Sequence, residues 1–184
     1  MGREAAVQRN DRQKLKTVQH EQMNVYNVGV DDVENVAPLI AQFRVELRSY
    51  KGITSKADIE AAKGEFNDYI KSGYPIYAYK KDNEVAGYLV CRIDNEVVWV
   101  ESLYVLKTHR KQGIATELFN AAEKLAISYG NDTLFNYVHP NNDNMISFLN
   151  KRGYNVLNLI EIRKKYKDEN INEQIQIRKN VFDY

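Results

Sequence analysis

The chain has one cysteine, Cys91, among 184 residues. A lone cysteine excludes an internal disulfide and fits a reducing compartment. Its neighbours, from Val85 to Ile93, read as a buried strand in which a small hydrophobe is at home, not a nucleophile with a nearby base. No apolar run approaches the roughly 20 residues that span a bilayer, and the N-terminus lacks the apolar core of a signal peptide. Both readings point to a cytoplasmic protein with no membrane partner. Charge of one sign is lacking too: 26 Lys and Arg face 25 Asp and Glu, a net charge of +1. Such a balance gives no global field to recruit nucleic acid, so any bound anion is held locally. Three histidines and one cysteine, scattered along the chain, argue against a metal site. Repeats and low-complexity tracts are absent.

What is there suffices for one domain with a sizeable core. Residues 1–22 are polar and poor in large apolar side chains, and read as a loose arm or appended helix. Residues 23–184 read as a single domain. A short strand, Asn24–Val28, precedes a helix capped by Asp31 or Asp32, with Val33, Val36, Ile40, Phe43 and Leu47 on its apolar face. Pro38 sits awkwardly within it, which moves the expected start toward Glu34 or Asn35. Ser55 opens a second helix that Gly73 stops. Strands at Pro75–Lys80, Glu84–Ile93 and Val97–Leu106, joined by Lys81–Asn83 and Asp94–Glu96, form an antiparallel meander. A third helix follows from about Ile114 to Tyr129. Asp132–His139 is a fifth strand, parallel to the one before it because a helix separates them. A fourth helix covers roughly Asn142–Arg152. Val156–Arg163 is expected to close the sheet, and Gln174–Phe182 to add a last strand. The expected fold is α+β, a mixed, mostly antiparallel sheet of six or seven strands flanked by helices on both faces.

The chemistry concentrates in the stretch from Val100 to Thr116. A strand ends, a basic loop follows, and a glycine opens an amphipathic helix. The first turn of a helix has N–H groups without intrahelical partners and carries the positive end of the macrodipole. Gly113 and Ala115 are small enough for a diphosphate to approach the backbone, and Lys107, Arg110 and Lys111 supply cations. A glycine easing a turn beside a solvated basic patch is the competing account of the same residues. A dinucleotide or P-loop site fails, since neither Gly-x-Gly-x-x-Gly nor Gly-Lys-Ser/Thr is present.

Arg110-x-x-Gly113-x-Ala115, entered from Leu103-Tyr104-Val105, resembles the coenzyme A signature of the GNAT superfamily of N-acetyltransferases. A second landmark agrees: Asn142 opens a later helix that runs through Phe148 to Gly153-Tyr154. The likeness spans roughly residues 24–163. It implies two parallel strands splayed apart, with acetyl-CoA as acyl donor seated in the gap and an amine as acceptor. Leu103, Tyr104 and Val105 would line the pantetheine arm. Arg110, Lys111, Gln112, Gly113, Ile114, Ala115 and Thr116 would hold the pyrophosphate, and Asn142 and Phe148 the arm's other side. Glu101 stands where some members carry a catalytic base, and His139 is the second candidate. A surface carboxylate in an ion pair explains Glu101 equally well. Many members carry a tyrosine as acid four residues before the helix-ending glycine, where this chain has Leu149. Tyr104, Tyr137 and Tyr154 are the phenols near the motifs. That departure leaves two readings, an N-acetyltransferase or a non-catalytic acyl-CoA-binding regulatory domain. The acceptor's identity stays open, Glu46, Glu60 and Glu65 being the carboxylates at hand for a polyamine or aminoglycoside, and a homodimer is compatible with the family.

Overall fold

A computed structural model describes residues 24–184, so the expected arm at residues 1–22 lies outside the described residues. The chain divides into two compact units, with the boundary between Ile146 and Ser147.

The first unit is built on a five-stranded sheet in the order β1-β2-β3-β4-β5, formed by Val25–Asn27, Ile76–Lys81, Glu84–Asp94, Val97–Val105 and Phe135–Asn136. The first four strands are antiparallel and β5 runs parallel to β4. Both hairpin turns place their central residues at positive φ, Asp82 and Asn83 in one, Asn95 and Glu96 in the other. That geometry matches the right-handed twist of the flanking strands, which is why Asp and Asn occur there.

Helix α1, Val33–Ser49, and α2, Ile59–Lys71, cover one face. Their Val36, Ile40 and Phe66 share a core with Ile76, Ala78, Tyr88, Val90 and Tyr104 of the sheet. α1 begins at Val33 after a 3₁₀ turn, earlier than Pro38 suggested, and keeps Pro38 inside it. A proline there removes one early hydrogen bond, and burial of the surrounding Val36, Ala37, Leu39 and Ile40 offsets that loss. α2 is capped not by Ser55 but by Asp58, whose carboxylate accepts the Ala61 N–H at 3.0 Å.

The opposite face carries α3, Ile114–Ser128, with Ile114, Leu118, Phe119, Ala122 and Ala126 buried. Gly87 lets it sit close. A Cβ on Gly87 would stand 3.0 Å from the Tyr104 carbonyl, 3.1 Å from Ile114 Cγ2 and 3.2 Å from Leu118 Cδ1. The last helix, α4, Asp143–Lys151, crosses the unit boundary.

In the second unit Gln174–Ile177 and Asn180–Asp183 pair as a hairpin, β6 and β7, forming a separate two-stranded sheet. The expected strand at Val156–Arg163 is not formed. Those residues are all exposed, Val156 at 85% and Leu157 at 72%. Their β-branched and aliphatic side chains favour a strand, but that preference needs a hydrogen-bonded neighbour to act through. Among the described residues the main sheet therefore has five strands where six or seven were expected, with β6 and β7 forming a separate pair, and β5 has two residues where eight were expected.

Candidate active site

The functional geometry begins with a fault in β4. Val90 pairs with Ser102 and Cys91 with Val100, so Glu101 is an extra residue on β4, a β-bulge. On its other side β4 pairs with β5 only at Trp99–Phe135 and Val100–Asn136. Beyond the bulge the β5-facing edge of β4, from Glu101 to Val105, has no strand beside it among the described residues. Backbone groups alternate along a strand. Leu106 donates to the Ala86 carbonyl at 2.9 Å, so Leu106 and Tyr104 face β3 while Leu103 and Val105 face the open edge. Leu103 and Val105 thus present their backbone groups to the open edge. Tyr104 does not. Its carbonyl turns toward Gly87 of β3, and its ring is 5% exposed within the core.

The open edge leads into the loop before α3. A 3₁₀ turn at Lys107–His109 is followed by Lys111 at φ +61° and Gly113 at φ +86°, two left-handed residues bracketing Gln112. Gly113 is the N-cap of α3, and the first bond inside the helix runs from the Glu117 N–H to its carbonyl, at 3.1 Å. The amides of Ile114, Ala115 and Thr116 therefore point out of the helix end. Left-handed turns followed by a helix N-terminus make a concave array of N–H donors for an anion. Ile114 contributes only its backbone there, because its side chain is buried against Gly87.

The side chains around this loop divide the labour unexpectedly. Arg110 turns inward: its Nε donates to the Val105 carbonyl at 3.0 Å, its Nη2 lies 2.6 Å from the Glu46 carboxylate, and its guanidinium covers the Tyr104 ring at 5.3 Å. Of Val105, then, the N–H is left on the open edge. Gln112 contacts Lys81 Nζ and donates to the Thr108 carbonyl at 3.3 Å. Lys81, from the end of β2, joins the exposed Lys107 and Lys111 as a cation of this corner, and only the fold brings it there. His109 has a side chain 16% accessible, with Nε2 3.3 Å from Glu84.

Glu101 is one-third exposed and lies 3.5 Å from Arg92 Nε, which is longer than a good hydrogen bond. The carboxylate is therefore held loosely at the point where the strands part. His139, in the loop after β5, stacks on Tyr50 at the end of α1, with ring centroids 5.8 Å apart. Its Nδ1 accepts the Asn141 N–H at 3.2 Å, and the Asn141 amide donates to the Tyr50 carbonyl at 3.0 Å. Burial, then the positive charge of Lys51, lowers the His139 pKa below its ordinary 6.5. Tyr50 in turn donates to Glu46 at 3.0 Å, and burial followed by that carboxylate pushes its phenol up to about 12. Tyr50 and the pairing of Glu46 with Arg110 escaped the sequence reading, since no local pattern links residues so far apart.

Asn142 caps α4: its Oδ1 accepts the Met145 N–H at 3.1 Å. Phe148 lies in the second unit, where Arg152 stands over its ring at 5.7 Å. Tyr154 is in that unit as well, and Leu149 is buried at 6%. Tyr137 is 61% exposed. Cys91 is buried, which raises its thiol pKa to about 12 and keeps it protonated and unreactive at neutral pH. Among the described residues no helix is long and apolar enough to cross a membrane, and no three His, Cys, Asp or Glu side chains gather as a metal site would need.

Known proteins share this fold. An aminoglycoside N-acetyltransferase, AAC(6')-Iy, in complex with CoA is similar over 77% of this chain and 93% of its own, at 14% identity and a TM-score of 0.61. The PaiA N-acetyltransferase of Thermoplasma acidophilum, in complex with coenzyme A, matches over 70% and 86%, at 20% identity and a TM-score of 0.57. A ribosomal-protein-alanine N-acetyltransferase from Brucella melitensis biovar Abortus 2308 matches over 77% and 99%, at 14% identity and a TM-score of 0.59. At such identities the likeness is one of fold. The profile of the Acetyltransferase (GNAT) family matches residues 41–154, more than half of the chain, from within α1 to just past the end of α4. The chain belongs to the GNAT family of acetyltransferases.

Proposed function

We propose that the protein transfers an acetyl group from acetyl-CoA to a primary amine by direct attack within a ternary complex. The observation that carries this reading is the open edge of β4 running straight into the donor-rich start of α3. An extended arm with alternating amides fits the first, through Leu103 and the Val105 N–H, and a diphosphate fits the second. Neither fit needs the side chain of Arg110.

Deprotonation of the ammonium comes first, because only the free amine is a nucleophile. Glu101, loosely paired at the end of the parallel pairing, is the carboxylate best placed to accept that proton. The amine nitrogen then attacks the thioester carbonyl, the C–S bond breaks, and the thiolate leaves with the electron pair. Developing negative charge on the carbonyl oxygen is stabilised by an N–H donor of the open edge. Leu149 contributes no acid, so the proton that the nitrogen sheds as the amide forms passes through water to the departing thiolate. His139 serves as a strap between α1 and the loop after β5, since a nitrogen that accepts a backbone N–H and another that carries the ring proton leave no base.

Calorimetric titration of acetyl-CoA into the parent and into Ala115→Asp tests the cofactor half. An anion at the second residue of α3 should abolish binding and leave the circular dichroism unchanged. Equal affinity in both would remove the assignment. A thiol-release assay with an amine panel tests the transfer half. Binding without turnover of any amine favours the non-catalytic reading. Glu101→Gln should lower kcat by about 10²- to 10⁴-fold with little change in acetyl-CoA affinity.

A further inference from the structure

Glu101 follows Val100 on β4 and Tyr137 follows Asn136 just past the end of β5, one on each side of the closed end of the gap. Around them lies a tier of three aromatic rings. Trp99 and Phe135 are register partners with centroids 4.8 Å apart, and Tyr137 lies on Trp99 at 4.8 Å with only 15° between the planes. Arg92, the register partner of Trp99 on β3, covers that ring at 5.3 Å. It sits between Asp94 at 3.6 Å and Glu101 at 3.5 Å. Arg92 is two residues beyond Val90, whose side chain belongs to the core under α1 and α2, so the tier occupies the same face of the sheet.

The chemistry of this surface is specific. One guanidinium and two carboxylates sum to −1, which suits one ammonium and not several. The carboxylates a polycationic acceptor would need are already used: Glu46 by Arg110, and Glu65 by Arg44. Tyr137 is 61% exposed although it is stacked, so its ring offers a flat apolar surface beside Glu101. Aromatic faces attract both other rings and a neighbouring cation.

Building on the acetyltransferase reading, we propose that this tier is the acceptor subsite. Its substrate is a small primary amine that carries a single ammonium next to a flat aromatic or heteroaromatic ring. The ammonium meets Glu101, where its proton is lost, and the ring lies against Tyr137. An oligoamine or amino sugar finds too few unpaired carboxylates here, and a saturated ring of equal size lacks the flat face for stacking.

The test measures steady-state acetylation at saturating acetyl-CoA with 2-phenylethylamine, 2-cyclohexylethylamine, spermidine and kanamycin, in the parent, Tyr137→Ala and Tyr137→Phe. Calorimetric acetyl-CoA affinity is recorded for each protein. Phenylethylamine should exceed cyclohexylethylamine by about tenfold in kcat/KM, the scale of one good ring stack, and should exceed the two polyamines by more. Tyr137→Ala should erase that preference through KM, with kcat and acetyl-CoA affinity held, and Tyr137→Phe should restore it. Equal or better use of spermidine, kanamycin or the saturated ring would overturn the subsite, as would a preference that survives Tyr137→Ala. Tight acetyl-CoA binding without turnover of the aromatic amine also overturns the subsite and leaves the cofactor assignment standing. Absence of acetyl-CoA binding in the parent overturns both.

Discussion

Arg110 reaches back from the loop before α3 to Glu46 on α1, closing a 2.6 Å ion pair while its Nε holds the Val105 carbonyl at 3.0 Å. The arginine that opens the signature motif thus acts on the protein's own backbone. It fixes the angle at which the end of β4 turns into the donor loop, and it ties that turn to a helix on the other side of the sheet's edge. Tyr50, which also donates to Glu46, extends the tie to His139 and so to the loop after β5.

Replacing this clamp should be read in cofactor affinity. Lysine cannot reproduce the two-pronged guanidinium contact, so Arg110→Lys should weaken acetyl-CoA binding by about tenfold, equivalent to roughly 1.4 kcal/mol. Glu46→Gln keeps an acceptor for Arg110 and should cost less. Isothermal titration of both variants checks the order. Unchanged affinity in Arg110→Lys would mean that the loop holds its shape without the clamp.

Gly113→Ala isolates the backbone conformation of the same loop. No atom lies within 4 Å of the added Cβ, so sterics with neighbours are not at issue. The φ of +86° is. An L side chain pays about 1–2 kcal/mol to stay left-handed. The chain can accept that cost or relax the turn, and relaxation would swing the Gln112 and Ile114 amides away from the anion position. Denaturation should therefore show a loss of up to about 2 kcal/mol, with weaker acetyl-CoA binding wherever the loss is smaller than that.

Much of this was legible in the sequence because it is local. The hairpin turns need residues that tolerate positive φ, and Asp82-Asn83 and Asn95-Glu96 announced them. The parallel placement of β5 followed from the helix between it and β4. The donor loop was visible because strand, basic loop, glycine and helix are contiguous. What escaped depends on contacts between distant residues. The bulge at Glu101 exists only relative to β3. Arg110 looked like a phosphate ligand because its partner Glu46 is on α1. Tyr104 looked like a cofactor residue because motif proximity does not reveal which strand edge its backbone faces. Val156–Arg163 has the composition of a strand, but composition does not supply the neighbour that a strand requires.

Gly87→Ala probes the packing of α3 on the sheet. The new Cβ meets the Tyr104 carbonyl at 3.0 Å, and the Ile114 and Leu118 side chains at 3.1 and 3.2 Å. Side chains can give by a few tenths of an ångström, but a strand carbonyl bonded across a ladder yields less readily. Overpacking of this kind costs about 1–3 kcal/mol. Because Ile114 is the first residue of α3, the shift would be transmitted to the donor loop. Urea denaturation should show the lower midpoint, and acetyl-CoA affinity should fall with it. A midpoint equal to the parent's would mean that α3 rides outward without loss.

His139 supplies the pH dependence. Its folded pKa lies below the ordinary 6.5, first from burial and then from Lys51. The unfolded chain therefore binds this proton more readily than the folded one. By linkage, the contribution of a neutral His139 to stability is complete above pH 6.5 and is lost as the pH falls through the folded pKa. Protonation would also end the acceptance of the Asn141 N–H by Nδ1, loosening the strap that joins the loop to Tyr50. Denaturant midpoints of the parent and of His139→Phe, taken at pH 7.5 and 5.5, check the sign. Phenylalanine keeps a ring against Tyr50 and does not titrate, and the other two histidines are common to both proteins. The parent should lose more stability than the variant on acidification. A variant that loses as much as the parent would place the acid sensitivity outside this strap.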